Sequence, residues 1–328
     1  MPYVVGVDIG ATNLRVVVAD DSGTFLSHIS ERTVREGPGT ALTAQVARLI
    51  KTALQNAGIS EDAIKGIGIG SIGPLDLREG AIINTPNLPF DYVPLAKPLR
   101  EKFGKPVNLL NDCTAAVVGE RFFGAGKGLD NLVYITISTG IGGGAYVDGN
   151  LLIGKDGNAA EIGHMVIDPE GRLICGCGRP GHWEAYCSGS GIPKLTRLEI
   201  KKRNLTTSQT LVLQLAGGRL ENITAKMVFD AAREGDSFAI DIIRMVGRYN
   251  AIGIANVINV YDPSLITIGG SVALKNKDLI FPYIHKFVDN FAVNRIPEIR
   301  PTPLGGDVVL YGAIAIALEL ERVRQPRR

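Results

Sequence analysis

The first third of the chain changes from strand-like to helix-like hydrophobic patterns and back. Apolar residues recur at helical spacing from Leu42 to Ala57, and Gly58 marks the predicted end of that helix. Before and after it lie short apolar segments bounded by Gly, Asp and Pro, which is typical of strands. The predicted strands are Val4 to Ile9, Leu14 to Ala19, Thr24 to Ser30, Ile64 to Ile69 and Val107 to Leu110.

A second series of elements begins near Leu132. The predicted elements are strands at Leu132 to Ile137, Gly142 to Val147, Leu151 to Ile153 and Leu265 to Ile268, and helices at Ala225 to Arg233, Phe238 to Val260 and Asp307 to Arg322. Three antiparallel strands, a helix and then parallel strands indicate an α/β fold of the ribonuclease H-like, actin-like ATPase type. We predict two domains and a cleft between them. Residues 1–113 form a small N-terminal domain and residues 114–306 a larger one, and the terminal helix at about 307–328 packs back on the first.

Charge and hydropathy exclude several classes of protein. Lys and Arg number 35 against 33 Asp and Glu, a net charge of +2 without a basic stripe, so we expect no nucleic-acid partner. The longest apolar run, Val308 to Leu318, is shorter than the roughly 20 residues of a spanning helix, so we expect no membrane partner. No signal-peptide pattern opens the chain, and we therefore predict a cytoplasmic protein.

Glycine is concentrated in clusters that follow predicted strands. In the segment Asp8 to Asn13, Gly10 allows a ligand to approach the backbone, Thr12 and Asn13 offer polar side chains, and Asp8 can hold a hydrated cation. A polar β-turn is the alternative interpretation.

Two further glycine clusters suit a nucleotide. Thr136 to Gly144 combines hydroxyls and backbone amides that can surround phosphate oxygens, and Gly269 to Ser271 follows a buried strand, where a flat base or sugar could lie. The candidate residues are Thr139, Gly140, Gly142, Gly143, Gly269, Gly270 and Ser271. Taken singly, each segment could be an ordinary hairpin or strand-to-helix turn.

Asp112 ends an apolar strand and precedes a helix predicted to begin near Thr114. It could accept a proton from an attacking hydroxyl, or it could cap the helix, and this segment alone does not separate the two roles.

His164, Cys175, Cys177 and His182 have spacings that suit a tetrahedral zinc ion with a structural role, because four protein ligands leave no open position. Free thiols in a Gly-rich turn are the alternative interpretation.

These segments, in this order, resemble the ROK family, which belongs to the actin-like ATPase superfamily of sugar kinases. The resemblance runs from about Val4 to Ile316 and rests on DIGATN, ISTGIGGG, IGGS, and EIGH followed by CGCGRPGHWE. It implies Asp112 as the catalytic base and sugar contacts from Asn87, Asn111, Glu161, His164 and Glu184. Gly73 is expected in the wall near the sugar C2 substituent. The family usually has a third cysteine where this chain has His182, and Cys187 is a weaker substitute ligand.

The resemblance also implies ATP-dependent phosphorylation of a glucose-type hexose to its 6-phosphate, with Mg²⁺, by a homodimer or higher homo-oligomer. An N-acetylated amino sugar or fructose is an alternative substrate. Two other classes are a sugar-binding protein without catalysis and a sugar-responsive repressor. The repressor is disfavoured because a winged helix needs roughly 60 to 80 residues, whereas seven precede Asp8.

Overall fold

The computed structural model describes residues 2–319. Its strands are β1 Tyr3–Ile9, β2 Asn13–Ala19, β3 Phe25–Arg32, β4 Ile64–Ser71, β5 Leu75–Asp76, β6 Ala81–Ile83, β7 Tyr92–Pro94, β8 Val107–Asn111, β9 Leu132–Ile137, β10 Ile141–Val147, β11 Asn150–Leu151, β12 Leu265–Gly269 and β13 Glu298–Pro301. Its α-helices are α1 Thr40–Ala57, α2 Ala96–Phe103, α3 Asp112–Phe122, α4 Glu184–Cys187, α5 Gly191–Arg203, α6 Leu211–Leu215, α7 Ala225–Arg233, α8 Ser237–Tyr261, α9 Ser271–Lys275, α10 Lys277–Phe287 and α11 Val308–Ala317.

The described residues form two compact units. The first takes in those of Met1–Tyr134, Gly144–Ala160 and Thr302–Arg328, and the second takes in Ile135–Gly143 and Glu161–Pro301. Neither unit is one continuous segment, because the chain enters the second at Ile135 and again at Glu161. The predicted domain limits at residues 113 and 306 assumed that the chain passes once from the first domain to the second and once back, as the order of elements alone suggests.

The sheet of the first unit has the order β3-β2-β1-β4-β8. Strands β1 to β3 are antiparallel, and β4 and β8 continue the sheet parallel to β1. Every second residue of the edge strand β3 is exposed, because only one of its faces packs on the core. Helix α1 packs on this part of the sheet and ends at Gly58, whose φ of 67° is left-handed, as the sequence predicted.

Helices α3 and α11 pack closely in the first unit because glycines line their contact. A Cβ on Gly312 would collide with the backbone of Ala115, and a Cβ on Gly119 would crowd the backbone of α11 at Val308. The side chain of Asn108, on β8, also donates to the carbonyl of Ile316 over 3.1 Å. These contacts hold α11 against the parallel strands.

The second large sheet has the order β11-β10-β9-β12-β13. Strands β10 and β11 are antiparallel across a turn at Asp148 and Gly149, and β12 is parallel to β13. Helix α7 forms over the predicted residues and is capped by the Thr224 side chain, which accepts from Met227 N. No helix within the described residues is both long and apolar enough to cross a membrane.

Two predicted helix limits are wrong, and one stretch contains elements that the sequence did not predict. The stretch between β4 and β8 contains α2 and a small sheet of order β5-β6-β7, which the sequence did not indicate because strands of two or three residues carry no readable periodicity. Helix α3 begins at Asp112, two residues before the predicted start. Helix α11 begins at Val308 and ends at Ala317, and the predicted residues 320–322 lie outside the described part of the chain.

Candidate active site

The carboxyl ends of three adjacent parallel strands, β1, β4 and β8, bring predicted site residues together in the first unit. Asp8 lies near the end of β1, and Ser71 at the end of β4 pairs with Asn111 at the end of β8. Asp112 follows directly as the first residue of α3. Ligands of open α/β sheets bind at such carboxyl ends, because the loops that follow the strands meet there.

Asp8 is a buried carboxylate held by a cation that the sequence reasoning missed. Arg15 donates to Asp8 Oδ2 through Nε at 2.9 Å and through Nη2, while its Nη1 donates to Asp307 Oδ1 at 2.9 Å. Burial raises the pKa of Asp8, and Arg15 opposes that rise. Asp8 and Arg15 are direct cross-strand partners in the β1–β2 hairpin, so the register of this hairpin could have revealed the pair.

Asn111 is the N-cap of α3, so the capping role that the sequence allowed for Asp112 belongs to its neighbour. The Asn111 Oδ1 atom accepts from Cys113 N at 2.9 Å and from Thr114 N at 3.4 Å. Asp112 lies half-buried in the first turn, where its Oδ1 accepts from Cys113 N at 2.7 Å. A Cβ on Gly73 would lie 3.5 Å from Asn111 Nδ2, so Gly73 and Asn111 are neighbours.

The first glycine-rich turn is closed by a hydrogen bond from Gly10 N to Asn13 O, 3.0 Å long, which leaves Thr12 and Asn13 exposed. Arg35, which the sequence reasoning also missed, donates to the carbonyl of the residue after Gly10 and to Asn87 O, each over 3.1 Å. This guanidinium joins the turn to the exposed loop that carries Asn87. No local pattern indicates it, because the two segments are far apart along the chain.

In the second unit, the turns that follow β9 and β12 lie together. Ser138 Oγ is 3.3 Å from Ser271 Oγ, and a Cβ on Gly270 would crowd the backbone of Ile137, so only glycine fits between the two strands. Thr139 is exposed at the tip of its turn. The two predicted nucleotide segments of this unit are therefore neighbours in the structure.

The four predicted metal ligands converge. The ligand atoms of His164, Cys175, Cys177 and His182 all lie within 4.8 Å of one another. The Nδ1 atoms of the two histidines are 3.3 Å apart, and sulfur to Nδ1 distances are 3.8 Å from Cys175 to His164 and 3.3 Å from Cys177 to His182. Ligands of a tetrahedral zinc ion are separated by roughly 3.3 to 3.8 Å, given zinc bond lengths of about 2.0 to 2.3 Å. Two thiols and two imidazoles at these separations fit zinc.

The pKa values of the cluster follow from its surroundings. Burial raises the pKa of the Cys175 thiol to about 12 and lowers the pKa of His182. A neutral imidazole suits metal binding, and a bound cation would favour the thiolate. Cys187 lies outside this cluster: it is fully buried and donates to Val246 O, 3.5 Å away.

Two carboxylates border this cluster of His and Cys side chains. Glu161 Oε2 lies 3.8 Å from His164 Nε2. The Glu161 side chain is 52% exposed, but surrounding atoms partly desolvate its carboxyl group and raise its pKa. The charge of Glu184 raises this pKa further, whereas His164 lowers it. Glu184 Oε1 accepts from the Cys175 sulfur at 3.3 Å. The unit therefore presents two acidic groups beside the cluster, which suits the binding of hydroxyl groups.

Trp183 fixes the segment between His182 and Glu184. It is fully buried, and its Nε1 donates to Asn250 Oδ1 of α8 over 2.9 Å. Its ring lies so close to Gly253 that a Cβ there would collide with it. The two flanking side chains are therefore positioned by a buried anchor.

Residues 4–319 match the ROK family. The chain is 38% identical to a glucokinase of Pyrobaculum calidifontis, over 97% of this chain and 95% of that protein. Among solved structures, a ROK hexokinase from Thermus thermophilus has a TM-score of 0.79 at 30% identity, and covers 97% of this chain and 99% of that one. A ROK glucokinase from Streptomyces griseus, solved with glucose and AMPPNP, has a TM-score of 0.75 at 31% identity with the same coverage.

The fold is therefore the two-domain α/β fold of the actin-like ATPases, as the order of elements predicted. Within that class, the chain belongs to the ROK family.

Proposed function

We propose that this protein transfers the γ-phosphoryl group of ATP to glucose and forms glucose 6-phosphate. The observation that carries the proposal is similarity over nearly the whole chain to a ROK glucokinase solved with glucose and AMPPNP. The predicted site residues of this chain are the candidates for the chemistry. Phosphoryl transfer needs a base for the attacking hydroxyl and donors for the phosphate charge, and these residues supply both.

Asp112 is the proposed base. Its Oδ1 accepts from a backbone amide, which orients the carboxyl group, and the capping role belongs to Asn111. The carboxylate takes the proton of the hexose hydroxyl as that oxygen attacks the γ-phosphorus. Proposed contacts to the other hydroxyls come from Asn87, Asn111, Glu161, His164 and Glu184, with Gly73 near C2.

The proposed phosphate site comprises Asp8, Gly10, Thr12, Asn13, Thr139, Gly140, Gly142, Gly143, Gly269, Gly270 and Ser271. Hydroxyl and amide donors there would stabilise the charge that develops on the transferred group, and Asp8 would hold a hydrated Mg²⁺ ion. The amide of Ile141 is already donated to Glu184, so it is not one of these donors.

Zinc would be held by His164, Cys175, Cys177 and His182 in a structural role, with no open coordination position. It would hold the loop that carries Glu184. A homo-oligomeric state and a cytoplasmic location stay predictions.

The test is Asp112→Asn in a coupled assay of ADP release. Loss of a general base lowers kcat by about 10²- to 10⁴-fold. Glucose affinity, measured by calorimetry, stays within a few-fold of the unaltered protein. Asp62→Asn is the matched control, since Asp62 is exposed in a turn after α1, and it keeps full activity.

Near-normal turnover of Asp112→Asn would remove the base assignment. The same assay with mannose, fructose and N-acetylated amino sugars tests the substrate, and a higher kcat/KM for any of them than for glucose would overturn glucose as the substrate.

A further inference from the structure

The segment Glu184–Ser190 is hydrogen-bonded to the Ser138–Ile141 turn, which follows β9. Gly189 N donates to Ser138 O over 2.7 Å, and Ser190 donates to Thr139 O through its backbone N over 3.2 Å and through Oγ over 3.0 Å. These bonds occupy backbone carbonyls of the turn from one side. They leave the Thr139 side chain exposed.

The Glu184 carboxylate holds the other end of the same turn. Its Oε2 accepts from Ile141 N over 2.9 Å, and a Cβ on Gly140 would collide with this oxygen. The Glu184 carboxyl group is therefore in close contact with the turn and accepts from one of its backbone amides. Because each carboxylate oxygen can accept more than one hydrogen bond, contact with Ile141 leaves Glu184 able to bind a hydroxyl as well.

We propose that Glu184 is a positioning residue for ATP: its carboxylate fixes the Ser138–Ile141 turn in the conformation that binds phosphate, whether or not sugar is bound. This inference rests on the proposed function, which assigns phosphate binding to that turn. A residue that only bound sugar would have no effect on nucleotide affinity in the absence of sugar.

Two effects of Glu184 on a nucleotide oppose each other. Its hydrogen bond orders the turn, whereas its negative charge repels phosphate. Glu184→Gln removes the charge but keeps an oxygen that accepts from Ile141 N, and Glu184→Ala removes both. The comparison of these two variants isolates the hydrogen bond from the charge.

The experiment measures the dissociation constant of AMPPNP with Mg²⁺ by calorimetry, without sugar, on the full-length protein. We expect Glu184→Ala to bind AMPPNP roughly fivefold more weakly than Glu184→Gln, the change that one neutral hydrogen bond makes. Ser190→Ala, which loses one bond to Thr139 O, gives a smaller loss. Glu170→Ala is the matched control, because Glu170 is an exposed carboxylate of the same unit that lies outside the proposed sugar, phosphate and metal sites, and it keeps the affinity of the unaltered protein for AMPPNP. Circular dichroism checks that all variants are equally folded.

Kinetics give a second readout. We expect the KM for ATP to be lower in Glu184→Gln than in Glu184→Ala, whereas both variants raise the KM for glucose. Equal AMPPNP affinity of Glu184→Ala and Glu184→Gln would overturn the inference.

Thr139→Val distinguishes that failure from a failure of the proposed function. If Thr139→Val weakens AMPPNP binding while the two Glu184 variants agree, only the positioning role is wrong. If neither Thr139→Val nor Glu184→Ala changes the affinity, the phosphates do not bind at this turn, and both the phosphate site and the inference fail.

Discussion

Arg15 should stabilise the protein through a buried carboxylate, and Arg15→Met tests this. The substitution keeps an apolar stem and removes the guanidinium that bonds Asp8 and Asp307. Losing one partner of a buried ion pair costs about 3 to 5 kcal/mol. The side chain of Arg15 is 22% exposed and that of Asp8 10%, so the lower end applies. Asp307 is 37% exposed and adds less than about 1 kcal/mol. We expect a loss of about 3 kcal/mol at pH 7.5.

The loss of stability caused by Arg15→Met should become smaller as the pH falls. Burial already raises the pKa of Asp8 above its ordinary value, and removal of Arg15 raises it further. A carboxyl with a raised pKa in the folded state binds a proton there more readily than in the unfolded chain. Stability therefore falls as the pH rises from the unfolded pKa through the folded pKa. Near the unfolded pKa of about 4 the variant holds Asp8 neutral and avoids the cost of a buried charge.

Urea titration followed by circular dichroism at pH 7.5 and pH 4.5 measures both quantities. Arg48→Met is the matched control, because Arg48 and its partner Glu31 are 56% and 39% exposed, and its loss stays below about 1 kcal/mol. The reasoning is refuted if Arg15→Met costs no more than Arg48→Met at pH 7.5. It is also refuted if the loss for Arg15→Met is as large at pH 4.5.

Two further predictions concern packing and metal. Gly312→Ala should lower the free energy of unfolding by about 1 to 3 kcal/mol in a urea titration, because the added Cβ collides with the backbone of Ala115. Gly306→Ala is the control and should change stability little, because the nearest non-neighbouring atom to its Cβ is 3.9 Å away. Equal losses would contradict the packing argument. Cys177→Ser should lower the zinc content measured by inductively coupled plasma mass spectrometry after dialysis. Cys187→Ser should retain zinc, because that thiol lies outside the cluster. Zinc retained by Cys177→Ser would contradict the ligand assignment.

The sequence by itself indicated all but one of the strands of the two large sheets, the helices α1, α7, α8 and α11, and the quartet of His and Cys residues. Alternation of apolar residues, helical spacing and end signals such as Gly58 and Thr224 act over a few residues, so they can be read before any fold is known. The quartet was readable for the same reason, since three of its members lie close together between Cys175 and His182.

Only the tertiary structure decided which groups complete these motifs. Asn111 and not Asp112 caps α3, a choice between adjacent residues that depends on where the strand stops and the helix begins. Arg15 reaches Asp307, 292 residues away, and the Glu184 carboxylate reaches the amide of Ile141. Such pairs depend on sheet register and on the packing of distant segments, which no local pattern encodes.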